Sequence, residues 1–444
     1  MDKINNENEF YQTIDSYIFN IMKMVLYSLI GIIIFFIPVR IDGQTKTLLF
    51  HMAYKIQVNA RLFIQVCIVI YITLGCIKDL LKNHNKKIGI KKIYIYIRML
   101  SILIIINIFY GKGRIIFLDQ NLMLLTDDII VNLATVLPLS ALFMPFLLEY
   151  GLVDIVESYC HKFMKKLFNM SGKTVLNIAF YIFTDCFCGY FMTEKLYKSG
   201  KLRQNEACSV ILNFSLISYT MITYISEELN LKKINLIIVS FTMLIIINII
   251  LSKTYPLNKK KKIYYTKTNY KETNHKNDKF RKAVKKYLEN KSNKNIFNHM
   301  TSSLEEAMHK VIYLIPNMVL ILFIGNAIIN NELIIDMLNQ VLNPIYNILK
   351  IYNQNVLTTF IVNIFCNNII AVDLVYQNID YITKLLIGVI ALVSCTSVST
   401  NMIFTMNSEI PINKKEFIIS YVQRIFVTMF IYFATYYFYL GYIK

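Results

Sequence analysis

Charge is scarce in this chain. Asp, Glu, Lys and Arg make up 17% of its 444 residues, against 55% for the hydrophobic set, and the mean hydropathy is +0.46. Length alone would suggest two or three soluble domains, but a soluble chain needs more polar surface than this. Tryptophan is absent, so the 31 tyrosines are left to supply the aromatic belt of a membrane boundary. A Gly-rich phosphate loop, H-E-x-x-H and G-x-S-x-G are also absent, which leaves no sequence basis for nucleotide-driven work, zinc proteolysis or serine hydrolysis. The six histidines are scattered. Among the eight cysteines no pair has zinc spacing. Cys186 and Cys188 stand too close for that, and Cys67, Cys366 and Cys395 sit in apolar runs as small hydrophobes. No enzyme activity, metal or cofactor is expected.

What the chain does have is long apolar runs, at 17–39, 62–77, 93–110, 129–148, 175–192, 207–226, 234–251, 311–329, 356–372, 385–406 and 417–442. Each is near the ~20 residues that a helix needs to cross a bilayer. Lipid offers the backbone no hydrogen bonds, so these are helices or protein-buried hairpins; alternating barrel strands are not seen. The sequence therefore predicts an all-α, polytopic helical membrane protein of nine to eleven segments in the cell (inner, cytoplasmic) membrane. The first run is longer than a signal-peptide core and is expected to remain as a span. The net charge of +19 lies largely in loops, as on a cytoplasmic face opposite anionic lipid, so nucleic acid is not an expected partner.

Charge also sets topology. Residues 253–294 carry fifteen Lys or Arg and three acidic residues, with Lys259 to Lys262 in a row; this stretch and the basic 78–92 loop both belong inside. Eleven full crossings would put the two on opposite faces, so one run between them must enter and return. The candidate is 175–192, with Asp185 in mid-run and lysines on both flanks.

A parallel follows. Amphipathic stretches at 152–167 and 333–351 carry Asp154 and Asp336 near their starts, and Ile182-Phe183 and Ile364-Phe365 follow them; each pair is separated by 182 positions. The spacing predicts two inverted gate-like repeats with re-entrant or broken helices, plus three N-terminal accessory helices. The boundaries are 1–128 for the N-terminal helices, 129–252 for the first half, 253–308 for a basic cytoplasmic loop and 309–444 for the second half.

Polar groups inside a membrane are costly and mark function. Asp185 is the sharpest of them, and Asn367 and Asn368 occupy the corresponding place in the second half. These three are the expected midplane site, with Asn213 and Asn401 as further substrate-binding candidates. The hydroxyl residues around the last two more often mediate helix packing. Glu206, following Asn205 as N-cap, is expected to stabilise a helix start. Lys23 and Arg424 are expected to snorkel to headgroups.

The stretch Tyr197-Lys198-Ser199-Gly200-Lys201, then Asn205-Glu206-Ala207 and Asn213-Phe214-Ser215, resembles the YjiH family of nucleoside recognition, or gate-domain, membrane proteins. Phe35-Phe36-Ile37-Pro38-Val39 with Ile41-Asp42-Gly43, and Ser408-Glu409-Ile410-Pro411-Ile412-Asn413, agree in order. Leu202-Arg203 departs from a Tyr-Thr pair of the family. The resemblance implies a transporter-like fold, related to the spore maturation proteins A and B, with Tyr197, Gly200, Lys201 and Glu206 as its structural motif. The expected function is secondary transport of a small polar solute, nucleoside-like among the options; the alternative is a non-transport structural or assembly role. Expected partners are the solute, a coupling cation and anionic lipid at the basic loop, with homo-oligomerisation left open.

Overall fold

The computed structural model describes residues 2–82, 90–110, 120–214, 219–265, 284, 287, 295–329, 331–348, 354–366, 372, 379–393 and 398–443. They are helical almost throughout. The first part contains α1 (Asp2–Phe36), α2 (Leu48–Lys82), α3 (Ile90–Tyr110), α4 (Gln120–Phe143), the short α5 (Pro145–Leu148) and α6 (Leu152–Phe168). Then come α7 (Lys173–Phe183), α8 (Cys186–Lys198), α9 (Gln204–Asn213), α10 (Tyr219–Glu228) and α11 (Lys233–Leu251). The last part contains α12 (Ile296–Ile329), α13 (Glu332–Ile348), α14 (Gln354–Cys366), α15 (Tyr381–Val393), α16 (Val398–Met406) and α17 (Lys414–Ile443).

Six helices among the described residues are long and apolar enough to cross a membrane: Ile18–Phe36, Leu48–Lys78, Thr126–Leu148, Lys233–Leu251, Ile296–Ile324 and Lys414–Thr435. These are the helices of a multi-pass membrane protein. Their outer surfaces are apolar where they meet no other helix, as at Phe19, Met22, Leu62 and Phe63, each more than 60% exposed. Lipid tails suit such side chains as well as a protein core does. One element departs from the all-α expectation. Pro38–Ile41 pairs antiparallel with Gln44–Thr47. Asp42 and Gly43, both at positive φ (51° and 79°), make the turn, as an Asp-Gly step in a tight hairpin does.

The centre is built on α4 and α12, which pack along one another more extensively than any other described helix pair. Each carries an internal proline, Pro138 or Pro316, which removes one ladder hydrogen bond and frees a carbonyl one turn back. The N-terminal helices flank this pair, with α2 and α3 against both and α1 against α5 and α7.

Run 175–192 is not one helix. α7 and α8 meet at Thr184–Asp185 and fold back on each other. The Asn177 amide donates to Thr193 Oγ1 (2.9 Å) and the Tyr181 hydroxyl lies 3.1 Å from the same atom. Gly189 sits so tightly on the Tyr181 ring that a Cβ there would come within 2.4 Å of it. The pairs 177/193 and 181/189 are both centred on residue 185, which makes α7–α8 a helical hairpin with Asp185 at its tip. One other run differs from expectation. Run 207–226, read as a single crossing, is interrupted where α9 ends, with Phe214 as its C-cap; run 385–406 is described as α15 and α16, and residues 394–397 lie outside the described residues. α12 begins at Ile296, inside the stretch assigned to the basic loop.

Candidate functional site

Asp185 is the N-cap of α8, half-buried, and accepts a hydrogen bond from the Cys186 N–H at 2.5 Å. It has no ion-pair partner among the described residues. Below it, α8 runs parallel to α16. Tyr190 stacks on Phe404 with ring centroids 5.3 Å apart. Four residues on, Glu194 accepts from Lys310 Nζ (3.0 Å) and from the Glu409 N–H (3.3 Å), and Lys310 also reaches the Asn407 carbonyl. Moving five residues up α8 from Tyr190 covers ~7.5 Å, as does moving five residues up α16 from Phe404. The hairpin tip therefore stands level with Ser399, in the first turn described for α16.

The C-terminal end of α9 is held by a cation. Arg424 of α17 is 1% exposed. Its guanidinium donates to the Leu212 carbonyl (3.1 Å), the Asn213 carbonyl (2.7 Å), Asn213 Oδ1 (3.4 Å), Asn248 Oδ1 (3.0 Å) and the Val393 carbonyl. Asn213 is the last residue of α9 and Val393 the last of α15. A helix C-terminus leaves carbonyls without amide partners and carries about half a negative charge. That end of α9, together with the Asn213 and Asn248 side-chain oxygens and the Val393 carbonyl, supplies the negative potential a guanidinium needs to be tolerated away from water.

Arg424 was expected at the headgroups; the structure buries it instead, because five acceptors from three helices converge on it. Asn213 was expected to contact solute, and its side chain bonds Arg424. Asn248, which no sequence motif singled out, completes the cluster as the polar residue in the apolar stretch Met243–Leu251 of α11. Asn401 is fully buried on α16, and its carbonyl accepts from the Thr405 hydroxyl. Asn367 and Asn368 lie outside the described residues, as do Asp373 and Ser394.

The Tyr197–Glu206 motif forms the foot of the hairpin. Gly200 adopts φ +70°, open to glycine at little cost, and lets the Lys201 and Leu202 amides return to the Leu196 carbonyl. Lys201 Nζ donates to the Leu148 carbonyl at 2.5 Å. Glu206 accepts from the Arg203 N–H (3.0 Å) and the Ser171 N–H (2.7 Å), tying α9 to the start of α7. The N-cap of α9 is Arg203, not Asn205; the Asn205 N–H instead donates to the Lys261 carbonyl. The first residues of the basic stretch therefore lie ordered across this foot, with Tyr265 against Tyr197. Val284 and Tyr287 pack on Met24 and Tyr150, and burial pushes the Tyr150 phenol up to about 12. Gly172-Lys173-Thr174, a step that sequence reasoning passed over, is no phosphate loop. Leu167 stands where such a loop needs glycine, and Lys173 is spent on the Lys201 carbonyl (3.1 Å) and Glu157 (3.7 Å).

No group of three or more His, Cys, Asp or Glu that could hold a metal occurs among the described residues. No solved structure matches the chain. An uncharacterized protein of Alkalihalophilus pseudofirmus is 21% identical over 264 residues, covering 55% of this chain and 56% of that protein; the chain thus spans about half the length of this curated relative. Residues 130–228, which run from α4 through the hairpin to the last residue of α10, match the family described as Gate: Nucleoside recognition.

Proposed function

We propose that the chain is a secondary transporter of the cell membrane that carries a small polar solute by alternating access, with Asp185 in contact with the solute. The observation that carries this reading is the hairpin tip. Asp185 stands level with the first turn described for α16 and has no ion-pair partner among the described residues to neutralise it. Interrupted helices offer free amides and carbonyls at membrane depth, which suits an uncharged polar ligand. The Gate match over the hairpin supports a nucleoside-like solute as the first class to try, and a carboxylate at the tip leaves room for a coupling cation.

The element order supports an inverted repeat in the manner of the YjiH and spore-maturation proteins. Among the described residues, a proline-bearing helix (α4, α12), an amphipathic helix (α6, α13) and a short helix (α7, α14) come first in each half. A pair of short helices (α9 and α10, α15 and α16) and a closing span (α11, α17) follow.

The test is a thermal-shift screen of the detergent-purified protein against nucleosides, nucleobases, amino acids and monovalent and divalent cations, run beside Asp185→Asn. Asparagine caps helices as well as aspartate does, so the fold should survive. A ligand of the native state raises the melting temperature as its concentration passes its Kd. A hit that Asp185→Asn loses supports transport and names the solute class. No hit, with a variant that only melts lower, favours the structural or assembly role.

A further inference from the structure

We infer that the outer face of α6 is a docking surface for anionic phospholipid headgroups of the inner leaflet. At 3.6 residues per turn, Val153, Glu157, Met164 and Phe168 fall on one side of α6, and all are buried. The opposite side is divided in two. Tyr159 and Phe163, 58% and 60% exposed, form an aromatic flank. Lys162, Lys165 and Lys166, all exposed, form a cationic flank beside it. Lys162 and Lys166 have no carboxylate partner among the described residues. A helix with aromatic side chains along one edge and lysines along the next lies in the membrane interface, rings among the acyl chains and ammonium groups among the phosphates.

The amphipathic helix α13 supplies an internal control. It also exposes large apolar side chains, with Leu333, Met337 and Val341 at 67–75%, but contains no Lys or Arg. Both helices therefore have a lipid-facing edge, and only α6 adds charge complementary to an anionic headgroup. α6 is also fixed to the hairpin. Glu157 pairs with Lys173, the first residue of α7, with both side chains under 4% exposed. Gly172 lies so close that a Cβ there would come within 2.6 Å of the Glu157 carbonyl. A headgroup held on α6 is thereby held against the foot of the hairpin. None of this depends on the transport reading.

The absence of tryptophan makes a site-specific test available. The full chain carrying Phe163→Trp, reconstituted in phosphatidylcholine with increasing brominated phosphatidylglycerol or brominated phosphatidylcholine, reports which lipid sits at α6. The expected result is stronger quenching by the anionic lipid, and loss of that preference when Lys162, Lys165 and Lys166 are all changed to Gln. At about 1 kcal/mol per lysine near an anionic surface, the relative affinity should fall on the order of 100-fold. Leu333→Trp on α13 should be quenched equally by both lipids, and an unchanged emission maximum would show that each variant is folded. Equal quenching of Phe163→Trp by the two lipids would overturn the proposal, as would a preference that survives the triple substitution.

Discussion

Two helices, α9 and α15, place carbonyls on the same guanidinium but are made differently. α9 runs into a polar stretch and gives Arg424 both a main-chain carbonyl and the Asn213 side chain. α15 is apolar from Leu385 to its end and gives only the Val393 carbonyl. Their outer ends are alike, since a carboxylate caps each N-terminus. Glu206 takes the Arg203 N–H in one, and Asp380 takes the Thr383 N–H (2.9 Å) and hydroxyl (2.7 Å) in the other. The lesson is electrostatic. A guanidinium inside the membrane can be satisfied largely by main-chain carbonyls, so the side chains beside those carbonyls are free to vary.

The strongest way to break this comparison is to remove the shared cation. Arg424→Leu leaves the Leu212, Asn213 and Val393 carbonyls and the Asn248 side-chain oxygen without their buried cation. It should lower stability by about 3–5 kcal/mol, read as a collapsed melting temperature or loss of the monodisperse peak in detergent. Arg424→Lys should fall between Leu and wild type, because an ammonium cannot span five acceptors in a planar fork. Next in size is the tie between the hairpin and the second half. Lys310→Ala strips the main partner from Glu194, whose side chain is only 3% exposed, and should cost about 2–3 kcal/mol. Replacing both Glu194 and Lys310 with apolar residues should cost less than Lys310→Ala alone, and a double-mutant cycle would measure that coupling.

Smaller effects sharpen the likeness of the outer ends. Glu206→Ala and Asp380→Ala should each lose about 1–2 kcal/mol, the worth of a helix cap. Glu206 should be the costlier because it also binds the Ser171 N–H. Near-equal losses in thermal melts would support equivalent roles in the two halves; a neutral Asp380→Ala would break the parallel. Asp185→Asn should disturb stability least, by under about 1 kcal/mol, since the cap is retained.

Much of this was legible in the sequence, for identifiable reasons. Charge against hydropathy located the membrane helices. The conflict between two basic loops marked 175–192 as a segment that turns back, and the hairpin centred on Asp185 is that turn. The end of α9 was not legible. Ile211-Leu212-Asn213-Phe214 contains no glycine or proline, the usual signals of an interrupted helix, and the Asn213 carbonyl is met by an arginine 211 positions away. Arg424 in turn read as a snorkelling residue because nothing within a few turns of it in sequence is acidic beyond Glu416. Its acceptors are main-chain carbonyls, which no composition reveals.

The most direct test of a transport site at the hairpin tip is accessibility from both faces. With the chain's eight cysteines replaced and Asp185→Cys introduced, a membrane-impermeant thiol reagent would be applied to right-side-out and to inverted vesicles. Alternating access predicts labelling at position 185 from both sides, and slower labelling from each in the presence of a solute found by thermal shift. Labelling from one side only, or from neither, would contradict the account and leave the hairpin as a structural element.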